Sequence, residues 1–327
     1  MHRDTRAAGA TRTKVEQRDP FPFLSPIEPH CPERLLAQAR SCKRPRVALV
    51  NAGAIHPLQG IREAADHGLA EPILIGDRVK IAATAEEIGW DIGGLRLIHA
   101  PRETAATEAA RLAREGEADA VMKGQIHSTT FLKALLPSAA GLRDKEARCG
   151  HVFHITAPTS DRPLLVTDAA LNVDPDMRTR QACLTQAVRL AEILGVTRPK
   201  AGLLAPSEDV SPSIPNTEEA AEIARWAKDA LPEAVVQGPM ALDLIFSRAS
   251  AEVKGYVSDV SGDADIMLVP NITSGNALFK LMVLGMGACA GGVVMGARVP
   301  ILLTSRSQAA PARIASAALG AIVAGAA

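Results

Sequence analysis

From residue 46 onward, short and nearly continuous apolar runs alternate with longer helix-like segments. RVALVNA (46–52), PILIGD (72–77), LRLIHA (95–100) and DAVMKG (119–124) read as strands. Segments 57–68, 78–88 and 103–115 read as helices, as does STTFLKALL (128–136), which Ser128 is placed to cap. HVFHIT (151–156) and PLLVTDAAL (163–171) are two strands with no helix between them, and 176–194 is a long helix. The alternation resumes with KAGLLA (200–205), 216–229, AVVQG (234–238), 239–250, DIMLVP (265–270), 276–289 and GVVMGA (292–297). VPILLTS (299–305) and a final Ala-rich helix close the chain, with Pro311 in the first helical turn. Strands that stay apolar throughout, separated by helices, specify an α/β fold with an open, mostly parallel sheet covered on both faces.

Such sheets bind ligands beyond the carboxyl ends of their strands. Four of the predicted ends carry polar or charged clusters. DAVMKG ends in Lys123-Gly124, followed by Gln125, His127, Ser128, Thr129 and Thr130. PLLVT is followed by Asp168, Asn172 and Asp174. IMLVP leads to Asn271, Ser274, Gly275 and Asn276. PILLT leads to Ser305 and Arg306, with Ser307 placed to cap the last helix. Helix N-termini favour anions, and guanidinium groups grip oxyanions in a bidentate fork. Together these ends predict an anion site. GxGxxG, GxxxxGK[ST] and GxSxG are all absent, which argues against dinucleotides, nucleoside triphosphates and a serine-hydrolase elbow.

Composition narrows this picture. The 327 residues are 47% hydrophobic but 3% aromatic, so the core is aliphatic, and the length suffices for two domains. The formal net charge of zero gives no footprint for nucleic acid. Five cysteines without a CxxC pair fit a reducing compartment, and no zinc pattern is present. His151 and His154, three apart on one strand, face opposite sides, so no metal site is expected there. No secretory signal is read at the start. Residues 1–46 hold ten Lys/Arg against five Asp/Glu, and five prolines fall within 20–32, which predicts a flexible arm over 1–45. The apolar stretch 281–297 is too short and too glycine-rich for a membrane span and reads as helix, turn and strand.

VMKGQIHSTTFLKALLP, RPLLVTDAALNVDPD, GDADIMLVPNITSGNALFKLM and GGVVMGARVPILLTSRS together resemble the phosphate acetyltransferase/phosphate butyryltransferase family. They look most like the acyltransferase half of enoyl-CoA hydratase–phosphotransacylase fusions, and the likeness runs from about residue 46 to 327. It implies the reaction acyl-CoA + phosphate ⇌ acyl phosphate + CoA, with coenzyme A and phosphate as substrates and no further cofactor. It implies an isocitrate/isopropylmalate dehydrogenase-like architecture of two doubly wound domains and an interdomain cleft. The first domain takes 46–155 and 299–327, the second 156–298. A cytoplasmic homodimer is expected. By motif, Arg306 matches the phosphate-binding arginine, and Ser305 the serine near the CoA sulfur and the developing oxyanion. Lys123, Gly124, Thr129 and Thr130 match the first-domain wall of the cleft, and Ser274, Gly275 and Asn276 the second; Asn172 joins the substrate-binding set.

One departure stands out. The acetyltransferases carry an aspartate six residues after the arginine, and here that position is Ala312. Asp168 or Asp174 is the nearest replacement for this base. The departure also leaves open a degenerate member that binds CoA or acyl phosphate without efficient turnover. A nicotinamide-dependent dehydrogenase of the same architecture is disfavoured, because no ordered acidic cluster for its metal is visible.

Overall fold

The computed structural model describes residues 21–303 and 310–326. Within them lie the strands β1 (Arg46–Val50), β2 (Glu71–Gly76), β3 (Arg96–His99), β4 (Ala120–Lys123), β5 (Gly150–Thr156), β6 (Pro163–Thr167), β7 (Lys200–Leu204), β8 (Val235–Met240), β9 (Ile266–Leu268), β10 (Cys289–Met295) and β11 (Ile301–Leu302). They form one mixed sheet in the order β3-β2-β1-β4-β11-β10-β5-β6-β9-β7-β8. The helices are α1 (Glu33–Ser41), α2 (Ile55–Asp66), α3 (Arg78–Glu87), α4 (Ala105–Arg114), α5 (Ser128–Leu135), α6 (Met177–Ile193), α7 (Pro215–Ala230), α8 (Leu242–Phe246), α9 (Arg248–Val253), α10 (Ile272–Lys280) and α11 (Ala310–Gly325). No helix among the described residues is long and apolar enough to cross a membrane.

The expected α/β alternation is present, and the chain returns at its end to place β11 beside β4, in parallel. The sheet also holds a reversal that local patterns do not encode. β10 runs antiparallel to both β11 and β5, and β5 antiparallel to β6. The set β1, β2, β3, β4 and β11 therefore points one way, and β6, β7, β8 and β9 point the other. The four strand ends singled out in the sequence do not share one edge.

The ladder register brings the two sets of ends to a common height. Val121 pairs with Ile301, Ile301 with Val294, and Val294 with His151. Counting along these rungs, Lys123 at the end of β4 lies level with Phe153. Thr167 at the end of β6 pairs with Val152. The two oppositely directed sets thus terminate within about one residue of each other, four strand positions apart.

Core packing differs between the two faces of the sheet. One face is covered by a single apolar cluster drawn from α1, α2, α3, α6, α7 and α11, which includes Val293 and Met295 of β10. The opposite face carries two separate clusters. Around α4 and α5, Ala109, Phe131 and Leu135 pack on Val121, Ile301 and Val294. Around α8 to α10, Leu244, Leu278 and Phe279 pack on Phe153, Val166 and Ala290. On β10 the residue between Ala290 and Val294 on that face is Gly292. The break between the clusters falls there, a gap in the apolar cover termed the furrow.

Two expectations are corrected. The arm expected over 1–45 is not an arm throughout. ERLLAQARS forms α1, which buries Leu35, Leu36 and Ala39 against the large cluster, while Gln38 Nε2 donates to Ile193 O at 2.8 Å. The apolar spacing within that segment outweighs the charges and prolines around it. The helix expected over 276–289 starts earlier, at Ile272, and passes into a π-helical turn at Leu281–Gly285 before β10.

Candidate functional site

On the first wall of the furrow, β4 delivers Lys123 with 7% of its surface exposed; its Nζ donates to Ile126 O at 3.4 Å. Gly124 is fixed by close packing. A Cβ there would stand 2.1 Å from Val50 O and 2.9 Å from Asn51 O, so the end of β4 approaches the end of β1 more closely than any side chain permits. Gln125 N donates to Asn51 O at 3.1 Å across the same junction. Thr129 and Thr130 are exposed in the first turn of α5. Ser128 is the first helical residue rather than the cap. His127 takes the cap position without a side-chain hydrogen bond, so the first N–H groups of α5 lack a side-chain cap.

The opposite wall is built on Asp168. Its carboxylate is 2% exposed and accepts five hydrogen bonds. Oδ1 takes Ala170 N and Leu171 N, both at 2.9 Å. Oδ2 takes His151 N at 3.1 Å, Asn172 N at 3.2 Å and Asn172 Nδ2 at 2.7 Å. A carboxylate offers about four lone-pair sites, so this one has no vacancy for a thiol proton. Asp168 acts as the clamp that folds the loop after β6 and ties it to β5, and a base at this carboxylate would have to compete with those five donors. Asn172 completes the clamp by donating also to Cys149 O at 2.9 Å. The clamped loop turns Leu171 into the cluster of Ile126, Phe131 and Ile301, bridging the two halves of the split face. Asp174, further along the loop, is exposed.

The segment NITSGN opens α10, with Asn271 as its cap. Asn271 caps α10 by accepting Ser274 N at 3.0 Å, and Ser274 Oγ donates back to Asn271 O at 3.1 Å. Gly275 sits against the clamped loop, where a Cβ would meet Val269 Cγ2 at 2.7 Å and Ala169 Cβ at 2.8 Å. Asn276 Nδ2 reaches Ala169 O at 3.4 Å. Asp168, Asn172, Ser274, Gly275 and Asn276 thus form one wall. Ser305, Arg306 and the proposed cap Ser307 lie outside the described residues. The described chain reaches Leu303, which packs with the α5 cluster, and resumes at Ala310. Ala312 is buried in the first turn of α11, and its carbonyl accepts Ser316 Oγ at 2.9 Å.

Two residues at the furrow were not singled out for it in the sequence. Asn51 ends β1 in the left-handed region, with φ 54, and donates through Nδ2 to Arg102 O at 3.1 Å. The strand-end rule applied to β1 points to it. His151 is 1% exposed on the furrow floor, its ring centroid 4.3 Å from that of Phe153, which stacks at 4.0 Å on Phe279 of α10. Burial pushes the His151 imidazole down to about 4, against a smaller upward pull from Asp168. His154 faces the other way, into a cavity shared with Pro32, Leu35 and Ala191, so the two histidines do lie on opposite faces. Among the described residues no group of three His, Cys, Asp or Glu is placed to hold a metal ion.

Comparison with known proteins gives the family. Residues 98–321 match the family model described as phosphate acetyl/butaryl transferase. A phosphate acetyltransferase of Rhizobium meliloti is 36% identical over 306 residues, covering 91% of this chain and 95% of that protein. A phosphate butyryltransferase of Clostridium acetobutylicum is 33% identical over 293 residues, covering 89% and 97%. The crystal structure of a branched-chain phosphotransacylase from Enterococcus faecalis V583 matches with a TM-score of 0.75 at 29% identity, covering 85% of this chain and 99% of that one. With a family match across two thirds of its length and such relatives along most of the rest, this chain belongs to the phosphate acetyl/butyryl transferase family.

Proposed function

We propose that the furrow between α5 and α10 binds a short-chain acyl phosphate and coenzyme A and interconverts them with acyl-CoA and phosphate. The observation that carries this is family membership over residues 98–321, which span both walls of the furrow. The protein is an acyltransferase of that family. The CoA sulfur attacks the acyl carbonyl carbon, negative charge collects on the carbonyl oxygen, the C–O bond to phosphate breaks, and the thiol proton ends on the departing phosphate, which leaves as the hydrogen phosphate dianion. The phosphoryl group carries two negative charges throughout, so cations and fixed dipoles that hold its oxygens stabilise both the bound acyl phosphate and the departing phosphate. Arg306 and Lys123 are assigned to the phosphoryl oxygens, and Ser305 to the developing oxyanion. The N-terminal turn of α5, with Thr129 and Thr130, adds N–H donors on the same side.

The finer architecture belongs to the same proposal. A first domain over 46–155 and 299–327 and a second over 156–298, arranged as in isocitrate and isopropylmalate dehydrogenases, is supported by the split of one sheet face into two clusters. A homodimer formed through the second domain is supported by exposed Leu281, Leu284 and Met286 in and just after the π-helical turn that follows α10. Five free cysteines support a cytoplasmic setting.

The test is thiol consumption from CoA with acetyl or butyryl phosphate, and thiol release from acyl-CoA with and without phosphate. Phosphate-dependent turnover in both directions is expected. CoA binding without turnover on any acyl phosphate would favour the degenerate binder that the missing acid at Ala312 leaves open.

A further inference from the structure

We propose that His151 is a further active-site residue, whose Nε2–H donates a hydrogen bond to the acyl carbonyl oxygen as it gains charge. This rests on the acyl-transfer reading of the same furrow, and it assigns the acyl end of the substrate to the furrow floor.

The placement follows from a missing side chain. A Cβ on Gly292 would lie 2.6 Å from His151 Nε2 and 2.7 Å from its Cε1. The imidazole of β5 therefore occupies the space over β10 that any other residue at 292 would fill. It leans from β5 over β10, on the side of β11 and of β4, which ends in Lys123. Its backbone N–H is fixed by Asp168 Oδ2, so the clamp of the opposite wall also sets the height of the ring.

The tautomer follows from burial. Nδ1 is sealed from solvent and has no hydrogen-bond partner. An orphaned buried N–H costs more than a bare acceptor nitrogen, so the proton belongs on Nε2 and Nδ1 is left as a lone pair. With Nδ1 sealed, Nε2 on the Gly292 side is the ring nitrogen assigned to the carbonyl oxygen. The ring is held neutral by its burial, which also lowers its proton affinity. A neutral donor beside stacked Phe153 and Phe279 suits a carbonyl oxygen and a short alkyl chain; the phosphoryl dianion is better matched by Lys123 and Arg306.

Two substitutions separate this role from packing. In His151→Gln the side-chain amide reaches the place of Nε2 and keeps a donor there. In His151→Asn the shorter amide reaches only the place of Nδ1. Turnover of butyryl phosphate with CoA is measured in the parent and both variants, with thermal unfolding to confirm folding. The expected result is a kcat for His151→Asn lower by about 100-fold or more, the usual loss for one oxyanion donor. His151→Gln should recover most of that loss, and KM for CoA should change little in either. Equal kcat in the two variants, whether both unimpaired or both impaired, overturns the proposal. The parent enzyme gives a test that needs no substitution. With ¹⁵N-labelled histidine, the ring signals of His151 should report the Nε2–H tautomer with and without butyryl-CoA, and an Nδ1–H tautomer overturns the assignment. A parent without turnover would instead remove the acyl-transfer reading itself.

Discussion

Replacing Asp168 by Asn separates a clamp from a base. The substitution keeps shape and size but turns one acceptor oxygen into an NH₂ group. The Oδ1 side receives two N–H donors and the Oδ2 side three, so in either orientation the new amide faces at least two donors in a buried place. Hydrogen bonds to a charged acceptor contribute roughly 1.5–3 kcal/mol each, and a buried donor left unsatisfied costs roughly 1–3 kcal/mol. With some relaxation of the loop, a loss on the order of 3–5 kcal/mol is expected. For a chain of this size about 2 °C of Tm accompanies each kcal/mol, so the transition should fall by roughly 6–10 °C. Thermal unfolding by circular dichroism measures the shift, and thiol consumption well below the variant's transition measures what activity the folded fraction keeps. The clamp reading expects a large fall in Tm with measurable turnover remaining. An unchanged Tm with abolished turnover would refute it and restore Asp168 as the proton acceptor.

Arg306→Lys keeps the charge and loses the planar fork, so KM for phosphate should rise and kcat fall; unchanged phosphate kinetics in a folded variant removes Arg306 from the anion site. Ala312→Asp places a carboxylate in the first turn of α11, which the helix dipole favours by roughly 0.3–1 kcal/mol, but the position is buried. A lower Tm is therefore expected, with CoA acylation gained only if the carboxylate reaches the furrow; Asp174→Asn, at an exposed position, should leave Tm unchanged and tests the remaining acidic alternative through the same thiol assay. His154 is pushed down to about 4 by burial, so the unfolded chain binds its proton first as pH falls below about 6.5. Stability should then decline from pH 6.5 toward 4, by on the order of 3 kcal/mol from this residue, and a folded His154→Gln variant should show a flatter acid limb in denaturant titrations; an identical limb sinks the assignment.

The sequence disclosed what depends on neighbours along the chain. Lys123-Gly124 was visible because a continuous apolar run stops there, and the structure explains the glycine through the approach of Val50 O. Asp168 and Asn172 were visible as the polar end of β6, but not their roles. Five donors converge on that carboxylate from the loop and from β5, and a donor supplied by a neighbouring strand leaves no mark on the local pattern. The start of α10 is not legible before 276, because small polar residues suit loops and helix starts alike. The Asn271 cap and the contact of Gly275 with Ala169 decide in favour of the helix. Helix α1 was hidden by averaging composition over a charged, proline-rich stretch, although its own spacing of Leu35, Leu36 and Ala39 carries the amphipathic signal.

His151 marks the limit of that kind of reading. The alternation of a strand correctly sends His151 and His154 to opposite faces, yet both histidines are buried and alternation alone treats them alike. What distinguishes them is the pairing of β10 with β5, which brings the glycine at 292 under one imidazole. Gly292 and His151 are far apart in the chain, and each has an ordinary explanation alone: a glycine in a strand and a histidine in a core. The furrow requires both. The missing Cβ makes room for the imidazole, which brings a polar atom there, so enlarging residue 292 should perturb the same chemistry as replacing residue 151. Gly292→Ala is accordingly expected to displace the ring and lower kcat as His151→Asn does. Added to His151→Asn, it should cost little more, because the donor it would displace is already gone.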